Sequence, residues 1–136
     1  MKSLIPVLFC LLIAPLALPS FAINSFGNGG GGITYEVFNA VAGNLALFEI
    51  ENATPGSMVT MGISFAGAGP LTSPYGQIDL SKPIRFLPVM PVASDGRVLN
   101  FVMVPGNLSG VPFWTQALVE EPSGPVLTDS HALVIQ

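Results

Sequence analysis

From Ile33 onward, apolar residues recur at every second position in short runs, and Gly- and Pro-containing turns end each run. A period of two sends alternate side chains to opposite faces of an extended strand. Ile33, Tyr35 and Val37 alternate with Thr34 and Glu36. Ala46, Phe48 and Ile50 alternate with Leu45, Leu47, Glu49 and Glu51. Val59, Met61, Ile63 and Phe65 alternate with Met58, Thr60, Gly62 and Ser64. No stretch of ten or more residues free of Gly and Pro carries a helical period.

Turn chemistry falls between the runs. Thr54-Pro55-Gly56-Ser57 separates the second from the third, and Ala66-Gly67-Ala68-Gly69-Pro70 ends the third. Ser94-Asp95-Gly96 stands between Ile84–Val92 and Arg97–Val104 and has the form of a hairpin turn. Phe113–Glu120, Val126–Thr128 and Ala132–Ile135 complete the set. About seven or eight short strands with this spacing predict an all-β fold, an antiparallel β-sandwich over residues 33–136. Pro83, Pro88 and Pro91 lack the N–H that a ladder needs, so Ile84–Val92 is expected to be an edge or bulged strand.

The chain before Ile33 has a different character. Lys2 is followed by an apolar stretch from Leu4 to Leu18, and Ser20-Phe21-Ala22 supplies small residues at the −3 and −1 positions of a cleavage site. Residues 1–22 therefore read as a secretory signal peptide. Gly27-Asn28-Gly29-Gly30-Gly31-Gly32 then makes residues 23–32 a flexible leader. The first 22 residues hold 16 apolar ones, so much of the 50% apolar content belongs to the signal. No apolar run long enough for a membrane-spanning helix follows it. Cys10 is the one cysteine and would leave with the signal, so disulfides, thiol catalysis and cysteinyl metal sites are not expected.

Beyond the signal, Lys82, Arg85 and Arg97 face eight carboxylates, a net charge of −5. Three scattered cations cannot build a phosphate-binding surface, so nucleic acid is not an expected partner.

The C-terminal part resembles a short all-β domain common in secreted and cell-surface proteins of planctomycete-type bacteria. The resemblance rests on Ser94-Asp95-Gly96, then Arg97-Val98-Leu99-Asn100-Phe101-Val102-Met103-Val104-Pro105, then Leu108-Ser109-Gly110. It continues through Phe113-Trp114-Thr115-Gln116-Ala117-Leu118-Val119 and Leu127 to Ile135. It spans roughly residues 56–136, and Ser130-His131-Ala132 stands where the family has Ser-Asn-Ala. The resemblance implies an exported β-domain and supplies no catalytic residues.

The chemistry-bearing residues fit structural roles. His131 is the one histidine, and Asp129 two residues away on an extended strand does not make a catalytic triad with it. His131 is expected at a strand end, partly exposed. Glu120 and Glu121 point to opposite faces, whereas Glu49 and Glu51 share one as surface charge. Met58, Met61, Met90 and Met103 with His131 have the donor chemistry of a copper site, but Met61 and Met103 are expected to fill the core. Asp79, Asp95 and Asp129 lie in or beside turns, where calcium ligation and turn chemistry compete. No catalytic, cofactor or metal site is expected. Trp114, Tyr75 and Tyr35 are the rings that a ligand would stack on. Asn52-Ala53-Thr54 and Asn107-Leu108-Ser109 have the form of glycosylation sequons. The expected function is that of an exported, non-catalytic structural or protein-interaction module. The alternative is a carbohydrate-binding module using exposed aromatics.

Overall fold

The structure, a computed structural model, describes residues 32–136. The expected signal peptide, Cys10 and the leader up to residue 31 lie outside the described residues. The described chain is all-β, and among its residues no helix is long and apolar enough to cross a membrane.

The eleven strands form two packed sheets and a small hairpin. The first sheet holds β1 (Thr34–Phe38), β2 (Leu45–Glu51) and β8 (Val98–Met103), in the order β1-β2-β8. The second is built on β3 (Met58–Ser64) and β9 (Pro112–Glu121), which pair from Met58↔Glu120 to Ser64↔Trp114. On the far side of β9 lie β10 (Gly124–Leu127) and β11 (His131–Val134). On the far side of β3 lie β6 (Ile84–Phe86) and β7 (Met90–Pro91). The hairpin joins β4 (Leu71–Ser73) to β5 (Gly76–Ile78). All pairing is antiparallel, as the alternation requires.

The core is the set of side chains that face inward from both sheets. Tyr35, Ala46, Phe48, Ile50 and Val98 come from the first, and Val59, Met61, Phe113, Ala117 and Val119 from the second. Burial of these residues removes enough apolar area to drive the sandwich together.

The edge expectation for Ile84–Val92 holds in a broken form. β6 and β7 each pair with a separate part of β3, because Pro88 and Pro91 interrupt the ladder. Thr128 makes the corresponding break at the other edge. Its N–H donates to Ala117 O, and its Oγ1 takes the Ala117 N–H, both at 3.0 Å. Between them these two bonds separate β10 from β11.

Three expectations need correction. The Ser94-Asp95-Gly96 turn is tight, with Gly96 N–H donating to Ala93 O and Ala93 N–H to Arg97 O. It does not close a hairpin, however. Val92 remains with the second sheet through bonds to Gly56 and Ser57, while Arg97 begins β8 of the first. Gly96 has φ +80°, and a Cβ there would lie 3.0 Å from Ala53 O. Phe65 lies beyond the end of β3 and is largely exposed, although its ring still reaches Phe113. The β4–β5 hairpin, which carries Tyr75, has no counterpart among the expected strands.

The segment from β4 to β6 covers part of the outer face of the second sheet. Leu80 is buried over Gly62, where a Cβ would come within 3.1 Å of Leu80 Cδ1 and 3.2 Å of Ile84 Cγ2. Gly62 is thus fixed by close approach and not by its backbone angles.

Candidate interaction surface

The outer face of the first sheet has no such cover, and the register of its strands lays out its surface in rows. Phe38, Leu47 and Phe101 lie side by side across β1, β2 and β8. Leu45 lies beside Met103, and Glu36, Glu49 and Leu99 form the next row. Thr34 and Glu51 follow, with Arg97 just before β8. One half of the face is therefore apolar and the other half ionic. Phe101 and Met103 are 58% and 59% exposed, and Phe38, Leu45 and Leu99 are also exposed. Contiguous exposed apolar rows of this kind, rimmed by charge, mark interaction surfaces on soluble proteins.

Residues of both parities explain the arrangement. Leu45-Ala46-Leu47-Phe48 is apolar at four consecutive positions, and Val98–Met103 contains one polar residue, Asn100. Ala46, Phe48, Val98 and Val102 turn inward, and Asn100 Nδ2 reaches the Met61 sulfur across the core at 3.8 Å. The remaining apolar residues are left outside.

The ionic half is crowded. Arg97 is paired with Glu49 and lies 3.3 Å from Glu51. These carboxylates in turn raise the Arg97 guanidinium further above its ordinary range, chiefly through the Glu49 hydrogen bond. Glu49 is largely buried, contrary to the expectation of a fully solvated surface pair, because Arg97 covers it. Glu36 faces Glu49 directly across β1 and β2, and among the described residues no cation pairs with it. Burial, then Glu49, Asp129 and Glu51, push its carboxyl up to about 7.

The other sequence-selected residues disperse. Tyr35 is not a ligand platform; it is 2% exposed and its hydroxyl meets Thr115 Oγ1 at 2.6 Å. Burial raises its pKa well above the ordinary tyrosine range. Trp114 lies part-buried on β9, between Ser64 and Ala132 of the flanking strands. Tyr75 is exposed at the β4–β5 turn. These three rings do not form one platform, because Tyr35 is inside the core.

His131 is not partly exposed. It is buried at the start of β11, with Nε2 2.5 Å from Tyr35 O and its ring tilted against the Tyr35 ring. A carbonyl only accepts, so Nε2 carries the proton. Burial lowers the His131 pKa, and the neutral ring is favoured. Asp129 nearby is raised by burial.

Met61 is in the core as expected. Met103 is not: its side chain lies on the outer face beside Leu45. Met58 is exposed and Met90 part-buried. Asp79 accepts from Ser130 Oγ, and Asp95 accepts from the Arg97 N–H as a turn residue. Glu121 accepts from the Thr54 N–H. Among the described residues, no group of three or more acidic or histidine side chains is placed to hold a metal ion.

A shallow cleft of about 70 Å³ opens between the sheets, lined by Phe48, Phe65, Val104, Leu108 and Phe113 among others. Small-molecule pockets run to roughly 300–1,000 Å³.

No protein-family model matches the chain, and no curated protein matches it. Among solved structures it is similar to macromomycin, at 11% identity and a TM-score of 0.42, over 77% of this chain and all of that one.

Proposed function

We propose that this protein is an exported, non-catalytic protein-interaction module whose working surface is the outer face of the β1-β2-β8 sheet. The observation that carries the reading is the register that places Phe38, Leu45, Leu47, Phe101 and Met103 together and outside the core. Export rests on the character of residues 1–22. The non-catalytic reading draws support from His131, which lies in the core with Nε2 committed to a backbone carbonyl. The polysaccharide reading loses Tyr35 to the core, which leaves it Tyr75 and part of Trp114.

The test is the native size of the protein in extracts of the cells that make it. The wild type is expected in an assembly larger than one chain. The double variant Leu45→Lys, Phe101→Lys is expected to return to the size of one chain with unchanged far-ultraviolet circular dichroism. An assembly that keeps its size in the double variant would overturn the reading.

A further inference from the structure

We infer that β8 is a docking edge for a second copy of this chain, and that the two copies join β8 to β8, antiparallel, into one continuous six-stranded sheet. The inference rests on the reading that this sheet carries the interaction surface, and assigns a partner to the free edge of that sheet.

Val104 N–H donates to Asn44 O, and Val104 O accepts from Gly43 N–H, so the Val104 peptide groups point toward the β2 side. Peptide groups alternate along a strand. Those of Met103, Phe101, Leu99 and Arg97 therefore point the other way. Arg97 confirms the phase, because its O accepts from Ala93 N–H on that far side. Beyond Arg97 the far edge of β8 meets no strand among the described residues, since β8 pairs with β2 alone. A six-residue edge strand is thus left with its donors and acceptors available for pairing.

Two of the other edges are interrupted or partly covered. Pro88 and Pro91 break the edge along β3 into β6 and β7. On the first sheet, the His131 ring closes over the opposite edge at Tyr35 O. Natural sheets blunt their edges with proline, charge, bulges or covering side chains. Val98-Leu99-Asn100-Phe101-Val102-Met103 holds no proline, glycine or charge. On the first sheet, β8 is the edge that carries neither a charged residue nor a covering side chain.

Self-complementarity selects the second copy as the occupant. In an antiparallel pair centred on Phe101, the outer-face row sets Phe101 against its own copy and Leu99 against Met103 of the other copy. Aromatic and aliphatic cross-strand pairs of this kind stabilise a ladder. Charge favours the same arrangement. The carboxylates Glu36, Glu49 and Glu51 lie toward the Val98 end of the sheet. Antiparallel pairing places that end of one copy beside the uncharged Met103 end of the other, so the two acidic groups stay at opposite corners. The symmetry is that of an isologous dimer, in which one patch serves both partners.

The test uses the protein purified from its producing cells, followed by sedimentation equilibrium over a range of concentrations. Twice the single-chain mass is expected at the high end. Phe101→Lys is expected to give the single-chain mass, because a lysine row across the twofold axis repels. Val134→Lys, exposed on the other sheet, is expected to leave the dimer intact. Amide exchange supplies a second readout: the N–H groups of Leu99, Phe101 and Met103 are expected to slow by at least about tenfold as the dimer forms. A single-chain mass at every concentration overturns the inference without touching the interaction-surface reading, which the native size in cell extracts tests by itself. A dimer that Val134→Lys breaks and Phe101→Lys does not would also overturn it.

Discussion

The Tyr35 hydroxyl and Thr115 Oγ1 meet at 2.6 Å and join the two sheets through the centre of the core, 80 residues apart in sequence. Thr115 Oγ1 donates onward to Gly62 O at 2.7 Å, so its proton is committed and Tyr35 must be the donor to it. Both side chains are buried, and each hydrogen bond replaces one lost to water.

Deleting either end of this chain has unequal consequences. Tyr35→Phe removes one donor and leaves Thr115 bonded to Gly62, and is expected to cost about 1 kcal/mol. Thr115→Val strands the buried Tyr35 hydroxyl, while Gly62 O keeps Gln116 opposite it in the β3–β9 ladder, and is expected to cost about 2 kcal/mol. Urea unfolding of the two variants and their double should show the double less destabilised than the sum. Strict additivity would mean that the buried chain contributes nothing as a unit.

Gly62→Ala is expected to destabilise by about 1–2 kcal/mol, because its Cβ would press on Leu80 and Ile84 at 3.1 and 3.2 Å. Leu80→Ala costs stability by itself through the lost burial. In its presence the additional cost of Gly62→Ala should shrink. Thermal melts of the four proteins check this, and an unchanged additional cost would place the strain elsewhere.

Glu36 and His131 set opposite pH dependences. The Glu36 carboxyl rises from 4.5 to about 7 on folding, so the fold prefers it protonated. Below about 4.5 it is neutral folded or unfolded, and there is no penalty. The penalty grows as pH rises from there and is complete above about 7. The group is half exposed, so screening reduces the effect to about 1 kcal/mol. Glu36→Gln should therefore stabilise at pH 8 and have no effect near pH 4. His131 has a lowered pKa, so its contribution is present above the ordinary value of 6.5 and is lost as pH falls through that range. Wild-type stability against pH, compared with that of Glu36→Gln, separates the two. A gain in Glu36→Gln that is the same at both pH values would show that the carboxyl does not change its protonation between them.

The strands whose two parities differ in polarity were legible in the sequence. β1 alternates Thr34, Tyr35, Glu36, Val37, and its buried set is the one expected. β3 follows the same logic at Val59 and Met61 and departs from it at its end, where Ser64 is buried and Phe65 is exposed. The sheet to which each strand belongs was not legible, because Ser94-Asp95-Gly96 makes the same tight turn whether it closes a hairpin or carries the chain from one sheet to the other. His131 was misplaced because a polar residue after a turn reads as exposed, and only the fold brings Tyr35 O to it. The candidate surface was half legible. Leu45 and Leu47, like Leu99, Phe101 and Met103, stand opposite core residues on their own strands, and an apolar residue at a solvent parity is the signal. Met103 reads as a core residue in sequence because a strand with apolar residues at both parities has no polar face to orient it.

If the outer face of the β1-β2-β8 sheet is where this protein meets its partners, side chains on that face lie within crosslinking reach of them. The most direct test is a photoreactive side chain placed at Leu45 and Phe101, and for comparison at exposed Val134 on the other sheet, with illumination in the producing cells. Discrete protein adducts are expected from positions 45 and 101 and none from 134. Adducts from 134 alone, or none from 45 and 101, would contradict the assignment of that face.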